Sequence, residues 1–161
     1  MMHFAEYASP LGTLLLQSDG AFLRSLKFGT MDTAAGEEDW VLTDTKRWLD
    51  AYFRGDEPML EIPLAPEGTE FQKRVWKMLA QIPGGATRSY GELARELAQQ
   101  MGKKTMSAQA VGQAVGRNPI AILIPCHRVM GSRGELTGYA WGIDRKKWLL
   151  EHEMKQGRTV R

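Results

Sequence analysis

Residues 89–116 read SYGELARELAQQMGKKTMSAQAVGQAVG, and this stretch decides how the second half of the chain folds. Ser89 followed three residues later by Glu92 is a capping box, which satisfies two of the orphan N–H groups at a helix start. The helix it opens, Tyr90–Gln100, carries Leu93, Ala94 and Leu97 inward, and Gly102 stops it. After Lys103 and Lys104 a second helical stretch, Ser107–Gly116, is built almost wholly from small residues: Ala108, Ala110, Gly112, Ala114 and Gly116, with Val111 and Val115. Helix, short basic connection, helix is a helix-turn-helix outline. Gly112 stands in a helix interior, where glycine costs about 1 kcal/mol relative to alanine, so something must approach that backbone closely. Close packing of a neighbouring helix is one explanation, and approach to a DNA minor groove only about 6 Å wide is the other.

Working outward, Thr69 and Gln72 repeat the capping box, with Phe71, Val75, Trp76 and Leu79 on one apolar face before Pro83-Gly84-Gly85. Upstream, Leu14-Leu15-Leu16 and Phe22–Phe28 flank Ser18-Asp19-Gly20, which predicts a hairpin of a small antiparallel sheet. Val41, Thr45, Trp48, Leu49, Tyr52 and Phe53 predict a helix from about Asp39 to Arg54, stopped by Gly55 and covering that sheet. Pro58, Pro63, Pro66 and Gly68 mark a boundary, giving lobes 1–66 and 67–161. Downstream, Ile120-Ala121-Ile122-Leu123-Ile124 is an apolar run of strand type leading into Pro125-Cys126-His127-Arg128-Val129. Gly131, Gly134 and Gly138 predict a loop or hairpin, and Asp144 is expected to cap a last helix with Ile143 and Trp148 as a hydrophobic staple.

The 161 residues suffice for a buried core without disulfide staples, and no apolar run approaches the roughly 18 residues of a membrane span. The first residues show no export pattern, so a cytoplasmic protein, or a nuclear one in a eukaryote, is expected. The net charge of +2 conceals an asymmetry: residues 1–69 hold 5 Lys/Arg against 12 Asp/Glu (−7), and residues 70–161 hold 16 against 7 (+9). Such a basic half is either a solvated surface or the footprint of a nucleic-acid partner, whose phosphates release counterions on binding.

Cys126 is the single cysteine, which excludes an internal disulfide and a multi-cysteine zinc site. Lone cysteines are usually inert and buried, but here His127 can accept a proton and Arg128 adds positive charge favouring a thiolate. On an extended strand adjacent side chains point apart, so Cys126 and His127 need a turn or a bridging water to cooperate. The base needs an orienting partner, and the last helix offers Glu153 and Glu151, between which spacing does not choose. No metal-ligand spacing is present, and no metal or cofactor is expected.

Ile124-Pro125-Cys126-His127-Arg128-Val129, preceded by Gly116-Arg117-Asn118-Pro119, resembles the O6-alkylguanine-DNA alkyltransferases. The resemblance extends to Ser89–Ala94, Ala110-Val111-Gly112, Thr137-Gly138-Tyr139 and Trp148–Glu153, nearly the whole chain. It implies an α+β fold: an N-terminal ribonuclease H-like lobe with a small antiparallel sheet plus helix, and a mostly helical, winged-helix-like lobe binding duplex DNA. It implies repair by direct reversal, in which an alkylated guanine is flipped from the duplex and its O6-alkyl group passes once to Cys126, with O4-alkylthymine as a further candidate substrate. This is a single-turnover methylated-DNA–protein-cysteine S-methyltransferase activity, and a protein consumed once per lesion is expected to be a monomer.

By the same resemblance, a water-linked chain Cys126, His127, Glu153 activates the thiol, Asn118 braces the turn, and Tyr90 crowds the target phosphate and contacts the flipped base. Val129, Tyr139, Ala140 and Trp141 would line the substrate pocket, and Gln109, Ala110, Gly112, Ala114 and Arg117 would contact DNA; Lys103 and Lys104 are expected to contact it through their charge, since phosphate counterions are released on binding. Two departures stand out. Gln109 occupies the position where many members carry Arg, losing a charge and a rigid fork, and the Tyr90–Gln109 stretch is longer, with Lys103 and Lys104 inside the extra residues. Trp141 at the rim would favour methyl over benzyl-sized adducts. Two other classes remain: relatives that lack the cysteine bind lesions without repairing them, which the retained Cys126 opposes, and a transcription factor would need long polar side chains that the small-residue helix does not offer.

Overall fold

The computed structural model describes residues 2–31 and 37–155. Chain contacts divide it into a first unit running to Glu67, which also takes in Pro119–Ala121, and a second unit made of Gly68–Asn118 and the chain from Ile122 onward. Among the described residues no helix is long and apolar enough to cross a membrane.

In the first unit β1 (His3–Ser9), β2 (Gly12–Ser18) and β3 (Leu23–Phe28) form an antiparallel sheet in the order β1-β2-β3. The predicted hairpin is β2–β3, with a register irregularity at Gln17/Ser18; β1 is an added strand, pairing Ala5 with Leu16 and Tyr7 with Leu14. Side chains alternate across the pleat, so Ala5, Leu14, Leu16 and Leu26 are buried on one face. Helix α1 (Trp40–Arg54) packs on β1 and β2 through Val41, Leu42, Leu49 and Tyr52. Asp39 starts it: one carboxylate oxygen accepts from the Leu42 N–H at 2.9 Å, and the other accepts from the buried Ser18 hydroxyl at 2.5 Å, tying the helix to the end of β2.

The run at 120–124 is not a strand. Only Ile120 bridges to Leu26, in parallel, with the Leu26 N–H donating to Pro119 O (3.0 Å) and the Ala121 N–H to Leu26 O (2.8 Å). Residues 121–123 then turn, and Ile122 has φ +68°, a conformation strained for a β-branched residue. All five residues are buried, which accounts for their apolar character without any strand.

In the second unit α2 (Glu70–Leu79), α3 (Tyr90–Gln100) and α4 (Ala108–Gly116) pack together around Val75, Leu79, Leu93, Leu97, Val111 and Val115. Both capping boxes form, and Ser107 caps α4. The Trp76 indole N–H donates to Ala114 O at 2.8 Å, fixing α4 against α2. Short strands β4 (Arg88–Ser89) and β5 (Val129–Met130) pair in parallel, and residues 131–135 form a tight loop closed by the Gly131 N–H on Glu135 O. The last helix, α5 (Ile143–Lys155), begins earlier than predicted. Asp144 lies inside its first turn, and the first helical carbonyl, accepting from the Lys146 N–H, belongs to Gly142, so Asp144 does not cap it.

Candidate active site

Cys126 begins a single 3-10 turn, Cys126–Arg128, that follows directly from the strained segment. Its N–H donates to Ile124 O (2.8 Å), the Arg128 N–H donates to Pro125 O (3.0 Å), and the buried Asn118 amide donates to the same Ile124 O (2.8 Å). The chain therefore enters the turn with the Ile124 carbonyl held twice. The turn also supplies what an extended strand would deny, since consecutive side chains in it need not point to opposite faces.

Behind the turn lies a buried polar network. The carboxylate of Glu153 accepts from His127 Nε2 at 2.7 Å and from Arg128 Nε and Nη2, each at 2.9 Å, while Arg128 Nη1 donates to Ile82 O at 2.5 Å. Burial pushes the His127 imidazole below its ordinary value despite the carboxylate beside it, so the ring is neutral. Because a carboxylate only accepts, the proton sits on Nε2, and Nδ1, buried and without a hydrogen-bond partner among the described residues, keeps its lone pair for an incoming proton. Burial alone would raise the Glu153 carboxyl, but His127 and Arg128 overcome it and hold the group well below the usual carboxylate range.

Cys126 is 5% exposed, and burial pushes the pKa of its thiol up to about 11. The Asn118 amide, the Lys146 charge and the Tyr139 hydroxyl pull the other way without prevailing. Lys146 is fully buried, donating to Val129 O (2.6 Å) and Thr137 O (3.2 Å); burial lowers its pKa and the facing thiol opposes that shift. Burial, and then the neighbouring Cys126, raise Tyr139, which stays a phenol able to donate toward sulfur. Cys126 is thus a thiol at neutral pH, surrounded by groups that favour its anion and beside a neutral imidazole.

Cys126 lies in a cleft of about 560 Å³ whose lining includes Tyr90, Gln109, Gly112, Thr137, Tyr139 and Ala140. Tyr90 accepts a hydrogen bond from the Thr137 hydroxyl at 3.3 Å, leaving its own proton free to donate. Gly112 faces this cleft. A Cβ built there would meet only the Tyr90 ring, at 3.7 Å, an ordinary contact, and one at Gly116 would meet nothing within 4 Å. Helix packing therefore does not require glycine at either place, and close packing of a neighbouring helix does not account for Gly112.

A profile of the DNA binding domain of 6-O-methylguanine DNA methyltransferase matches residues 70–155, and one of the ribonuclease-like domain of the same family matches residues 2–66. The chain belongs to the 6-O-methylguanine DNA methyltransferase family. Among its relatives, the methylated-DNA–protein-cysteine methyltransferase of Methanosarcina acetivorans is 44% identical over 158 residues, covering 94% of this chain and 98% of the relative. The crystal structure of Mycobacterium tuberculosis O6-methylguanine methyltransferase superposes with a TM-score of 0.82 at 42% identity, covering 97% of this chain and 94% of that one. A structure of the M. tuberculosis protein in complex with DNA gives the same TM-score at 43% identity, covering 96% of this chain and 94% of that one.

For this methyltransferase-family chain, the structure gathers Cys126, Tyr90, Tyr139, Ala140, Gln109 and Gly112 around one cleft, with His127, Glu153 and Asn118 buried behind the cysteine. Between the two glutamates it chooses Glu153; Glu151 is exposed, 4.0 Å from Lys147. Three expectations need correction. Val129 does not line the cleft: it is wholly buried in β5, and its carbonyl serves Lys146. Trp141 lies outside the lining too, half-buried and edge-on to Tyr139 with ring centroids 5.4 Å apart. Ala114 faces the core, because the 3.6-residue period that exposes Gln109, Gln113 and Gly116 turns Val111, Ala114 and Val115 inward.

Ala110 is half-buried and outside the lining, Arg117 is exposed at the C-cap of α4, and Lys103 and Lys104 line a neighbouring cleft. The sequence alone assigns no role to Lys146, or to Thr137 within the Thr137-Gly138-Tyr139 motif. Lys146 carried a signal: it precedes the buried Leu149 by three residues and Glu153 by seven, so it shares their helix face.

Proposed function

We propose that the protein repairs O6-alkylguanine in duplex DNA by transferring the alkyl group to Cys126, once per molecule. The observation that carries this reading is a cleft that joins the only thiol to a helix face whose glycines no internal contact requires, with a neutral imidazole pinned by Glu153 buried behind the cysteine. The names of the relatives support the same chemistry.

Because the purine is stacked in the duplex, it must be extruded to reach sulfur, and the small-residue face of α4, with Gln109 beside it, approaches the groove it leaves. Tyr90, Tyr139 and Ala140 hold the base. The thiol has no direct hydrogen bond to His127, so its proton passes through one water molecule to Nδ1. The Sγ–C bond forms as the C–O6 bond breaks, and the electron pair of that bond leaves on the purine oxygen. The purine takes up a proton delivered by the Tyr90 hydroxyl, which is replenished from solvent, and the His127 proton returns to water. Asn118, Lys146 and Tyr139 stabilise the charge on sulfur as it develops. A thioether has no ready leaving group, so Cys126 is not regenerated. Under this reading the protein acts as a monomer in the cytoplasm and needs no cofactor.

Intact-mass measurement and peptide mapping after incubation with a duplex carrying one O6-methylguanine test the proposal. The expected result is one methyl group per chain, on Cys126, abolished by Cys126→Ala. An unmodified protein that still prefers the lesion duplex to plain DNA would overturn the proposal in favour of a lesion sensor.

A further inference from the structure

The lining of the Cys126 cleft contains no charged side chain, although the partner proposed for it is a polyanion. The ionic part of the affinity must then come from its border. One lining residue, Ala108, also lines a second cleft, of about 870 Å³, between α3 and the start of α4. Four cations contribute to that second cleft: Arg88, Arg95, Lys103 and Lys104. Arg88 is neutralised by Glu96 at 2.8 Å, and Arg95 lies in the field of Glu92. Lys103 and Lys104 are exposed and make no ion pair among the described residues.

The backbone that presents these two lysines is held in place. Gly102, at φ +66°, ends α3, with its N–H donating to Gln99 O (3.2 Å) and the Lys103 N–H donating to Ala98 O (2.8 Å). This double closure is a Schellman motif, and it sets the direction in which Lys103 and Lys104 leave the helix. Two uncompensated ammonium groups on a braced connection, sharing a wall with an uncharged reaction cleft, match a phosphate backbone better than a freely solvated surface.

We propose that the α3–α4 connection is a phosphate-binding track: Lys103 and Lys104 take phosphates of the strand that runs past the target nucleotide, and the pair supplies two phosphate contacts' worth of the ionic affinity for DNA, damaged or not. The inference rests on the reading of DNA as substrate but is separate from the chemistry at Cys126. Each phosphate contact lowers the slope of log K against log salt by about 0.9. A Lys103→Gln/Lys104→Gln variant should therefore lose about 1.8 from that slope and about 30-fold in affinity at 0.15 M salt relative to 1 M.

The test measures binding of the full chain to an undamaged duplex across a salt series, and in parallel methyl transfer to Cys126 from free O6-methylguanine base. The control is Lys73→Gln/Lys77→Gln, two exposed lysines of α2 that line a separate cleft sharing no residue with the reaction cleft. The expected result is a reduced slope for the connection variant alone, with transfer from the free base at the wild-type rate. An unchanged slope in that variant, or an equal fall in the α2 control, would overturn the track. Failure of the wild-type chain to react with either the free base or the lesion duplex would instead sink the Cys126 reading and leave the salt measurement to decide the track by itself.

Discussion

Replacing Glu153 by glutamine keeps the side chain's shape and removes its charge, so it isolates what the carboxylate does. Three donors converge on that group, His127 Nε2 at 2.7 Å and two Arg128 nitrogens at 2.9 Å, all in a buried environment. The amide of glutamine accepts at one end only, so its NH₂ must face either the imidazole N–H or the guanidinium, and Arg128 is left buried without a counter-charge. Removing one member of a buried pair costs about 3–5 kcal/mol. At roughly 2–4 °C per kcal/mol for a chain of this length, melting should fall by on the order of 10 °C. Where the amide NH₂ faces His127, the ring is driven to the tautomer that carries its proton on Nδ1, and the thiol loses its acceptor. Transfer should then slow by on the order of 100-fold or more, within the range general base catalysis supplies.

The pH dependence separates this account from a generic packing defect. Glu153 is held below its unfolded value of about 4.3, so its contribution to stability is complete above that pH and is lost as pH falls toward the folded value. His127 is also depressed, so the unfolded state gains a proton first, and stability begins to fall below about pH 6.5. Denaturant unfolding between about pH 4 and 8, with single-turnover transfer measured by mass, reads both quantities. In Glu153→Gln the loss below about pH 5 should shrink, and Glu153→Asp should restore part of the stability. A glutamine variant with wild-type midpoint, acid profile and transfer rate would refute the reasoning.

Asn118→Ala leaves the buried Ile124 carbonyl with one donor fewer and removes a group that favours the Cys126 anion. Denaturant unfolding should show a loss of about 1–3 kcal/mol, and the midpoint of the thiol's alkylation against pH should rise. Gly112→Ala should leave stability unchanged or raise it by up to about 1 kcal/mol, since the new Cβ meets only the Tyr90 ring at 3.7 Å, while transfer from duplex DNA falls and transfer from the free base does not. A marked destabilisation there would restore helix packing as the reason for the glycine. Trp76→Phe removes the donor to Ala114 O and should cost about 1–3 kcal/mol in thermal or denaturant unfolding, with transfer by the surviving folded fraction unchanged.

What could be read in the sequence depended on whether the signal was local. The bounds of α3 follow from Ser89, Glu92 and Gly102, because a capping box and a left-handed glycine act on backbone within a turn of themselves. The Pro125–Val129 motif likewise announced the nucleophile and its neighbours. The run at 120–124 misled because all five residues are buried, and periodicity is visible only where one face of an element meets water. Strand β1 escaped notice because only Ala5 among its residues is fully buried, which leaves little contrast to detect. Lys146 was missed for the opposite reason: a lysine suggests solvent, yet this one is enclosed, and only the positions of Leu149 and Glu153 on the same helix betray it.

The raised pKa of Cys126 looks at first like a handicap for a nucleophile. At pH 7.5 a thiol of pKa about 11 is ionised to roughly one part in 3,000, and Asn118, Lys146 and Tyr139 soften that burial penalty without cancelling it. For a group used once, low idle reactivity has a benefit that can be estimated. Lowering the pKa by two units would raise the thiolate fraction about 100-fold and lower its intrinsic nucleophilicity by about tenfold, so soluble electrophiles would consume the protein about ten times faster. Selectivity therefore has to come from position. A purine seated in the Cys126 cleft would hold its alkyl carbon in line with sulfur, and such placement is worth about 7–11 kcal/mol, far more than two pKa units of acidity. The buried thiol, its neutral imidazole and the uncharged cleft are consistent parts of one arrangement, in which the nucleophile becomes effective only when a base is already in place.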